Sequence, residues 1–292
     1  MNVLITGADG QLGYELRRTA PDFAQLSFTD YQQLDITDEA AIQAFFASAS
    51  PAVVINAAAY TAVDKAELDV DTARAVNATG AALLARACAD HNIPMLQVST
   101  DFVFDGAQSS PYHADDQPHP LSVYGQTKLE GENHVRELLP QRSLIIRTAW
   151  VYSAHGNNFV KTMLRLMQEK EQLGVVADQV GTPTWANHLA RCVWNGVVRL
   201  LEGSVQLPVH HFTDAGVASW YDFAVAIQEE ALQLGLLDKA IQITPIQTLD
   251  YPTPATRPAY SVLDKTSTWA ELEAPQVHWR VALRQMLAEL VG

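Results

Sequence analysis

The feature that most constrains this chain is the glycine turn Gly7-Ala8-Asp9-Gly10-Gln11-Leu12-Gly13. It follows the apolar run Val3-Leu4-Ile5 directly and opens a helical pattern. A strand that reverses this tightly into a helix needs glycine for three reasons: the turn itself, close approach of a bound group to the backbone, and helix–sheet contact. The helix start then presents unpaired N–H groups and a positive dipole end, which suits a pyrophosphate. Three glycines alone fit a plain structural turn. Their place between strand and helix marks Gly7, Gly10, Gln11 and Leu12 as candidate dinucleotide contacts.

The rhythm that follows agrees. Short apolar runs at residues 3–6, 25–28, 52–56, 95–99 and 144–148 alternate with helical patterns at 11–20, 38–48, 63–90 (read as two helices) and 122–138. Continuous apolar strands alternating with amphipathic helices predict an α/β fold, a Rossmann-type doubly wound parallel sheet covered on both faces. After about Trp150 the rhythm loosens. Helices are expected at 158–170, 185–201, 219–235 and 279–291, and the proline-rich segment 245–258 reads as loop. The expected division is residues 1–150 as the NAD(P)-binding domain and 151–292 as mainly a smaller substrate-binding lobe, with later segments free to return to the first.

Charge and composition exclude several classes. A net charge of −14 argues against a nucleic-acid surface, which needs clustered Lys and Arg. No apolar run is long enough to suggest a membrane span, and the opening residues lack the basic region of a signal peptide. Cys88 and Cys192 sit in apolar helical patterns and read as buried thiols. A cytoplasmic location is the expectation.

At the nucleotide end, Asp30 closes the second strand about twenty residues after the turn. A carboxylate there accepts hydrogen bonds from the adenosine ribose, which favours NAD over NADP, although a solvated turn Asp is an equal reading. Asp35 and Ile36 precede the next helix and are candidates to face the adenine. Ala57, Ala58 and Ala59 end the third strand with small side chains that let a cofactor approach. Asn77 is read either as a brace for the active-site strand or as a satisfied buried turn.

At the other end, Tyr124 and Lys128 stand four apart on a helix that Ser122 is placed to cap, so both point the same way. A free phenol with a pKa of about 10 exchanges protons poorly at neutral pH, and a nearby ammonium is expected to lower it. A lone pair at this spacing is common by chance. It gains weight from Val98-Ser99-Thr100-Asp101, an apolar strand that ends in hydroxyls, with Thr100 placed to hydrogen-bond a reacting carbonyl. The order of glycine turn, hydroxyl strand end and Tyr–Lys helix implies hydride transfer to a carbonyl.

Longer segments then carry a resemblance. Asn56-Ala57-Ala58-Ala59-Tyr60-Thr61-Ala62-Val63-Asp64-Lys65-Ala66-Glu67, Asp178-Gln179-Val180-Gly181-Thr182-Pro183-Thr184 and Arg257-Pro258-Ala259-Tyr260-Ser261 are far more specific than a dinucleotide turn. With them, nearly the whole chain resembles the dTDP-4-dehydrorhamnose reductase family of extended short-chain dehydrogenases. The resemblance implies reduction of the 4-keto group of a dTDP-6-deoxy-hexulose to dTDP-L-rhamnose with NADPH or NADH. It implies Tyr124 as proton donor, Lys128 as its partner and holder of the nicotinamide ribose, and Thr100 orienting the ketone. Val63, Asp101, Phe104, Trp150 and Asn158 would line the sugar pocket, and Arg257 would meet the diphosphate. The bland readings are a core aromatic for Trp150 and a loop salt bridge for Arg257.

Two departures stand out. Phe102 replaces a tyrosine common in the family. After Thr182-Pro183-Thr184, Asn187 stands where members commonly use a glutamate in a Mg²⁺-linked homodimer. Glu15 is retained, but a neutral amide is a weaker ligand for a hard cation. The rival readings are a nucleotide-sugar 4-epimerase, which the catalytic residues alone do not exclude, and a 4,6-dehydratase, which lacks its second carboxylate because Phe102 follows Asp101. A non-catalytic NADP-binding regulatory subunit is the rival from another class, and intact Thr100, Tyr124 and Lys128 weigh against it.

Overall fold

The computed structural model describes residues 1–291. Six strands form one parallel sheet: β1 (Asn2–Thr6), β2 (Gln25–Thr29), β3 (Val53–Asn56), β4 (Met95–Thr100), β5 (Ser143–Thr148) and β6 (Val209–His211). Their spatial order is β6-β5-β4-β3-β1-β2, every neighbouring pair running parallel. The expected strands are all present, and the sheet is the doubly wound one the alternation predicted. Order reverses between β1 and β3, and a crevice opens at such a switch point, beyond the carboxyl ends of the strands.

Both faces are covered because both faces of these strands are apolar. On one side α1 (Gln11–Arg18) packs with Leu12 and Leu16 against Val3, Ile5 and Ile55. On the other, α2 (Glu39–Ala49), α3 (Ala81–Asp90) and α4 (Val123–Leu138) bury Ile42, Phe46, Leu84 and Val135 against Leu4 and Val54. Asp38 caps α2 by accepting from Ala40 and Ala41, and Ser122 caps α4 by accepting from Gly125.

Between β3 and α3, two short helices (Val63–Ala66 and Val70–Arg74) run into a π-helical turn at Ala75–Gly80. Asn77 sits in that turn. Its side chain accepts from the Tyr60 amide and donates to the Tyr60 carbonyl and to Thr127 Oγ1. It therefore ties the loop after β3 to α4, and the irregular helix is the local adjustment that allows this.

After β5 the chain leaves the sheet through α5 (Phe159–Glu169) and then returns. Helix α6 (Ala186–Glu202) lays Leu189, Val193 and Val197 into the same core as Val3 and Ile5, and β6 adds the sixth strand. The remaining lobe packs α5, α7 (Trp220–Gln233) and α8 (Trp279–Ala288) around Met163, Phe223, Ile227 and Leu283. Its small parallel pair joins Gln172–Val176 to Gln242–Ile246. Pro245 thus lies in a strand, where the proline-rich segment had suggested loop. A proline is tolerated in a two-stranded pair because one edge needs no N–H donor. Among the described residues no helix is long and apolar enough to cross a membrane.

Candidate active site

At the switch point lies a cavity of about 800 Å³. Gly7, Gly10, Gln11 and Leu12 line it from the first turn. Gly7 has φ +70°, and a Cβ there would fall 2.6 Å from the backbone nitrogen of Ala58, so only glycine lets the loops after β1 and β3 meet. The second loop is held by buried amides. Thr6 Oγ1 donates to Asn56 Oδ1 (2.6 Å), Asn56 Nδ2 donates to Gln97 Oε1 (2.8 Å), and the Ala58 amide donates back to Asn56 Oδ1 (3.2 Å). Ala57, Ala58 and Ala59 thereby form a fixed floor to the cavity.

Asp30, Asp35 and Ile36 line the far end. Asp30 Oδ1 accepts from the amides of Gln32 and Gln33, which hold the carboxyl below its ordinary range. Asp9, sharing a hydrogen bond with Asp30, is raised in response. Asp35 accepts from the amide and hydroxyl of Thr37.

Tyr124 and Lys128 enter the same cavity from α4. Gly125, between them, presses on the turn after β4, where a side chain would collide with the Phe102 carbonyl oxygen. Lys128 is buried, and its ammonium donates to the Val98 carbonyl at 2.7 Å. Burial lowers its pKa to about 8, and Glu132, one turn on and paired with Arg147 at 2.7 Å, pulls the other way. Tyr124 differs from expectation. Burial raises its phenol to about 12, opposed by a hydrogen bond with Thr100 and reinforced by the charge of Asp101. The Lys128 ammonium is turned to the Val98 carbonyl, and burial rather than the lysine sets the direction of the phenol's shift. A phenol raised this way stays protonated at neutral pH, as a proton donor must. Phe102 packs edge-on against it, ring centroids 5.6 Å apart.

Thr100 ends β4 beside the phenol, and its hydroxyl bonds Asp101 Oδ1 at 3.1 Å. Asp101 is buried, and burial lifts its carboxyl to about 6. Ser99 and Thr148 line the cavity, and their buried hydroxyls have no hydrogen-bond partner among the described residues. Thr148 carries the signal that singled out Thr100, a hydroxyl at the carboxyl end of a strand. Leu189 also lines the cavity, from α6, and nothing in its local sequence marks it.

The residues carried to the sugar side are less uniform. Val63 is half-buried at the start of its short helix. Trp150 adopts φ +48° and stacks on Trp220 at 3.5 Å between ring centroids, at the edge of the second lobe's core. Asn158 caps α5 through Lys161 and donates to Gln11 Oε1 at 2.9 Å and to the Ser153 carbonyl. It therefore reaches the glycine turn. Phe104 does not face a pocket: it is fully buried, stacked on Tyr112 and beneath the Arg147 guanidinium. The reason is that Arg147, paired with Glu132, needs an aromatic lid in the core. Arg257 forms a fork on Asp64, at 2.7 and 3.0 Å.

The residues do not fit Mg²⁺. Glu15 is buried and engaged by Ser153, Asn187 Nδ2 and Arg18, so Asn187 offers it a donor instead of sharing a cation. Among the described residues no three His, Cys, Asp or Glu side chains gather as a metal site.

Comparison with known proteins agrees with this architecture. Residues 1–291 match the family described as "RmlD substrate binding domain". The dTDP-4-dehydrorhamnose reductase of Aggregatibacter actinomycetemcomitans is 44% identical over 289 residues, 98% of each chain. The enzyme of that name from Escherichia coli K12 is 37% identical over 99% of this chain and 98% of its own. Among solved structures, a dTDP-4-dehydrorhamnose reductase from Clostridium acetobutylicum superposes with a TM-score of 0.91 at 42% identity, covering 99% of both chains. That of Bacillus anthracis, in complex with NADP, gives 0.89 at 34%, again over 99% of both. UDP-glucose 4-epimerases share the fold at 18% identity. With the family matched from end to end and the Tyr–Lys helix facing the glycine turn across one cavity, this chain belongs to the dTDP-4-dehydrorhamnose reductases.

Proposed function

We propose that the chain reduces the 4-keto group of dTDP-6-deoxy-L-lyxo-4-hexulose to dTDP-L-rhamnose, using NADPH or NADH. The observation that carries this reading is the single cavity in which the glycine turn, Tyr124 and Lys128 meet. A relative of 34% identity is described in complex with NADP, which favours NADPH as the working cofactor. The residues fit a dinucleotide. Gly7 and Gly10 line the cavity, with Gly7 letting the loops after β1 and β3 meet, and Ser99 and Thr148 offer unused hydroxyls beside Tyr124 and Lys128.

NADPH, when bound, supplies the hydride. Tyr124, protonated at neutral pH, donates the proton to the ketone oxygen. Lys128, fixed by Val98, would hold the nicotinamide ribose. Thr100 directs the ketone. Arg257 remains the candidate for the diphosphate, presented by Asp64, while Trp150 and Val63 border the sugar. Free, buried Cys88 and Cys192 accord with a reducing cytoplasm. We assign no metal to the reaction.

The test is loss of NADPH absorbance when the purified chain meets dTDP-4-keto-6-deoxyglucose together with a 3,5-epimerase. Oxidation that requires the epimerase supports the reading. Cofactor binding with no oxidation, by NADPH or NADH, would move the assignment to an epimerase or a binding subunit.

A further inference from the structure

The Thr100 hydroxyl has one proton and two lone pairs to distribute. Its oxygen receives the Phe102 amide at 3.2 Å and lies 3.1 Å from Asp101 Oδ1, with the Tyr124 phenol as a third neighbour. If Asp101 is ionised it can only accept, so the threonine proton must point at it. The remaining lone pair then takes the phenol proton. Neither group has a proton free for a ketone oxygen, which is itself only an acceptor.

If Asp101 is neutral, the pattern inverts. Its O–H donates to Thr100, and the two lone pairs of Thr100 are filled by Asp101 and Phe102. The Thr100 proton and the Tyr124 proton are both released, the phenol at the cavity wall and the Thr100 hydroxyl beside it. The surroundings suit the neutral form: Asp101 is 2% exposed, its Oδ2 is buried with no hydrogen-bond partner among the described residues, and burial outweighs the nearby Ser261 and Thr100 hydroxyls and the Asp101 and Phe102 amides, which favour the ionised form. An ionised oxygen so placed would be costly.

Resting on the reductase reading, we propose that Asp101 is a positioning residue that works as the neutral acid, turning the Thr100 and Tyr124 protons onto the reacting ketone. Its proton stays on the carboxyl throughout, so the hydride and the phenol proton alone enter the product. The groups that face it are few. Tyr124 comes from α4, and Thr100 and Phe102 belong to its own turn. From the segment at residues 260–261, Ser261 opposes the burial effect, and Tyr260 stands next to it with its own phenol raised by burial. Lys128, on the same face of α4, donates to the Val98 carbonyl.

The sign follows directly. The carboxyl is raised to about 6, so the competent form grows as pH falls through that value and is lost above it. Reductive kcat/KM of the wild type should therefore fall about tenfold per pH unit above the midpoint. Asp101→Asn keeps a donor that does not titrate. It should show a level profile there and stay within about tenfold of the wild-type acid plateau, whereas Asp101→Ala should lose on the order of a hundredfold. An infrared titration without substrate reads the same proton: a carboxylic-acid C=O band present in acid, bleached toward alkaline pH and missing from Asp101→Asn. A level wild-type profile, an Asp101→Asn no more active than Asp101→Ala, or a missing band would overturn the proposal. A titrating band in a protein that reduces no keto-sugar would support the neutral Asp101–Thr100 bond and overturn the reductase reading instead.

Discussion

The cavity and the residues proposed to hold the sugar are built by different means. At the proposed nucleotide end the working atoms belong to backbone: the turn at Gly7, the floor at Ala58, the amides that grip Asp30. On the proposed sugar side they belong to side chains brought from distant segments and standing outside the cavity's lining, such as Trp150 on Trp220 and Arg257 on Asp64. A backbone site is written in local sequence, as glycine where φ must be positive and small residues where loops touch. A side-chain site depends on which partner each group finds, and that is decided only when the chain closes. If this contrast holds, substitutions at the two ends should fail in different measurements.

The largest effect should come from Tyr124→Phe, which removes a proton donor and leaves the ring and its contact with Phe102 in place. Turnover should fall about 10³-fold, within the usual range for general acid catalysis, while NADPH affinity changes less than about twofold. Steady-state rates set beside fluorescence titration of NADPH would separate the two. A comparable loss of cofactor binding would mean that the phenol belongs to the nucleotide end and that the division is drawn in the wrong place.

How much could be read in advance follows the same division. All twelve residues assigned to the cofactor, from Gly7 to Lys128, line the cavity. Most lie in the turns that follow strand ends or on the first turn of α1, and the sheet order fixes where strand ends go; Tyr124 and Lys128 come from the start of α4. Phe104 and Arg257 were harder. Phe104 sits three residues beyond Asp101, yet its ring is captured by Tyr112 and Arg147, a core pairing between β5 and a loop that no local pattern announces. Arg257 finds Asp64, 193 positions away. Helical spacing placed Lys128 beside Tyr124 but could not show its ammonium turned to Val98 or the burial that pushes the phenol upward. A return of later segments to the sheet was allowed for, but not that α6 would be one of them, since its apolar stripe would suit either lobe.

Gly7→Val tests the backbone end directly. A β-branched residue at φ +70° is strained, and its Cβ would strike Ala58. NADPH affinity should drop on the order of a hundredfold, with stability lower by about 2–3 kcal/mol, read by calorimetric titration and thermal melts. Retained affinity would show that the close approach of the two loops is not what shapes the cradle.

Arg257→Ala tests the side-chain end. KM for the nucleotide sugar should rise about tenfold with NADPH binding unchanged, as expected for loss of one charge-assisted contact. Asp64→Ala should raise KM about threefold, because it loosens the guanidinium without removing it. Equal stability losses with no change in KM would leave the pair as a loop salt bridge and the diphosphate without a cation.

Asn158→Ala should give the smallest effect and is the sharpest test of the contrast, because Asn158 belongs to neither end cleanly. Resemblance placed it on the sugar, yet its amide donates to Gln11 in the glycine turn and to Ser153, and its oxygen caps α5. His155, three residues earlier, stacks on Tyr14 and contacts the Asp9 carbonyl, so this loop fastens the second lobe to the nucleotide turn at several points. Removing the amide should weaken NADPH binding about fivefold, roughly 1 kcal/mol for one hydrogen bond, and raise sugar KM by a similar factor. Equal loss in both would mean that closing the loop over the cofactor helps build the sugar pocket, so that the two ends are ordered in sequence. A change in sugar KM alone would return Asn158 to the sugar and leave the ends independent.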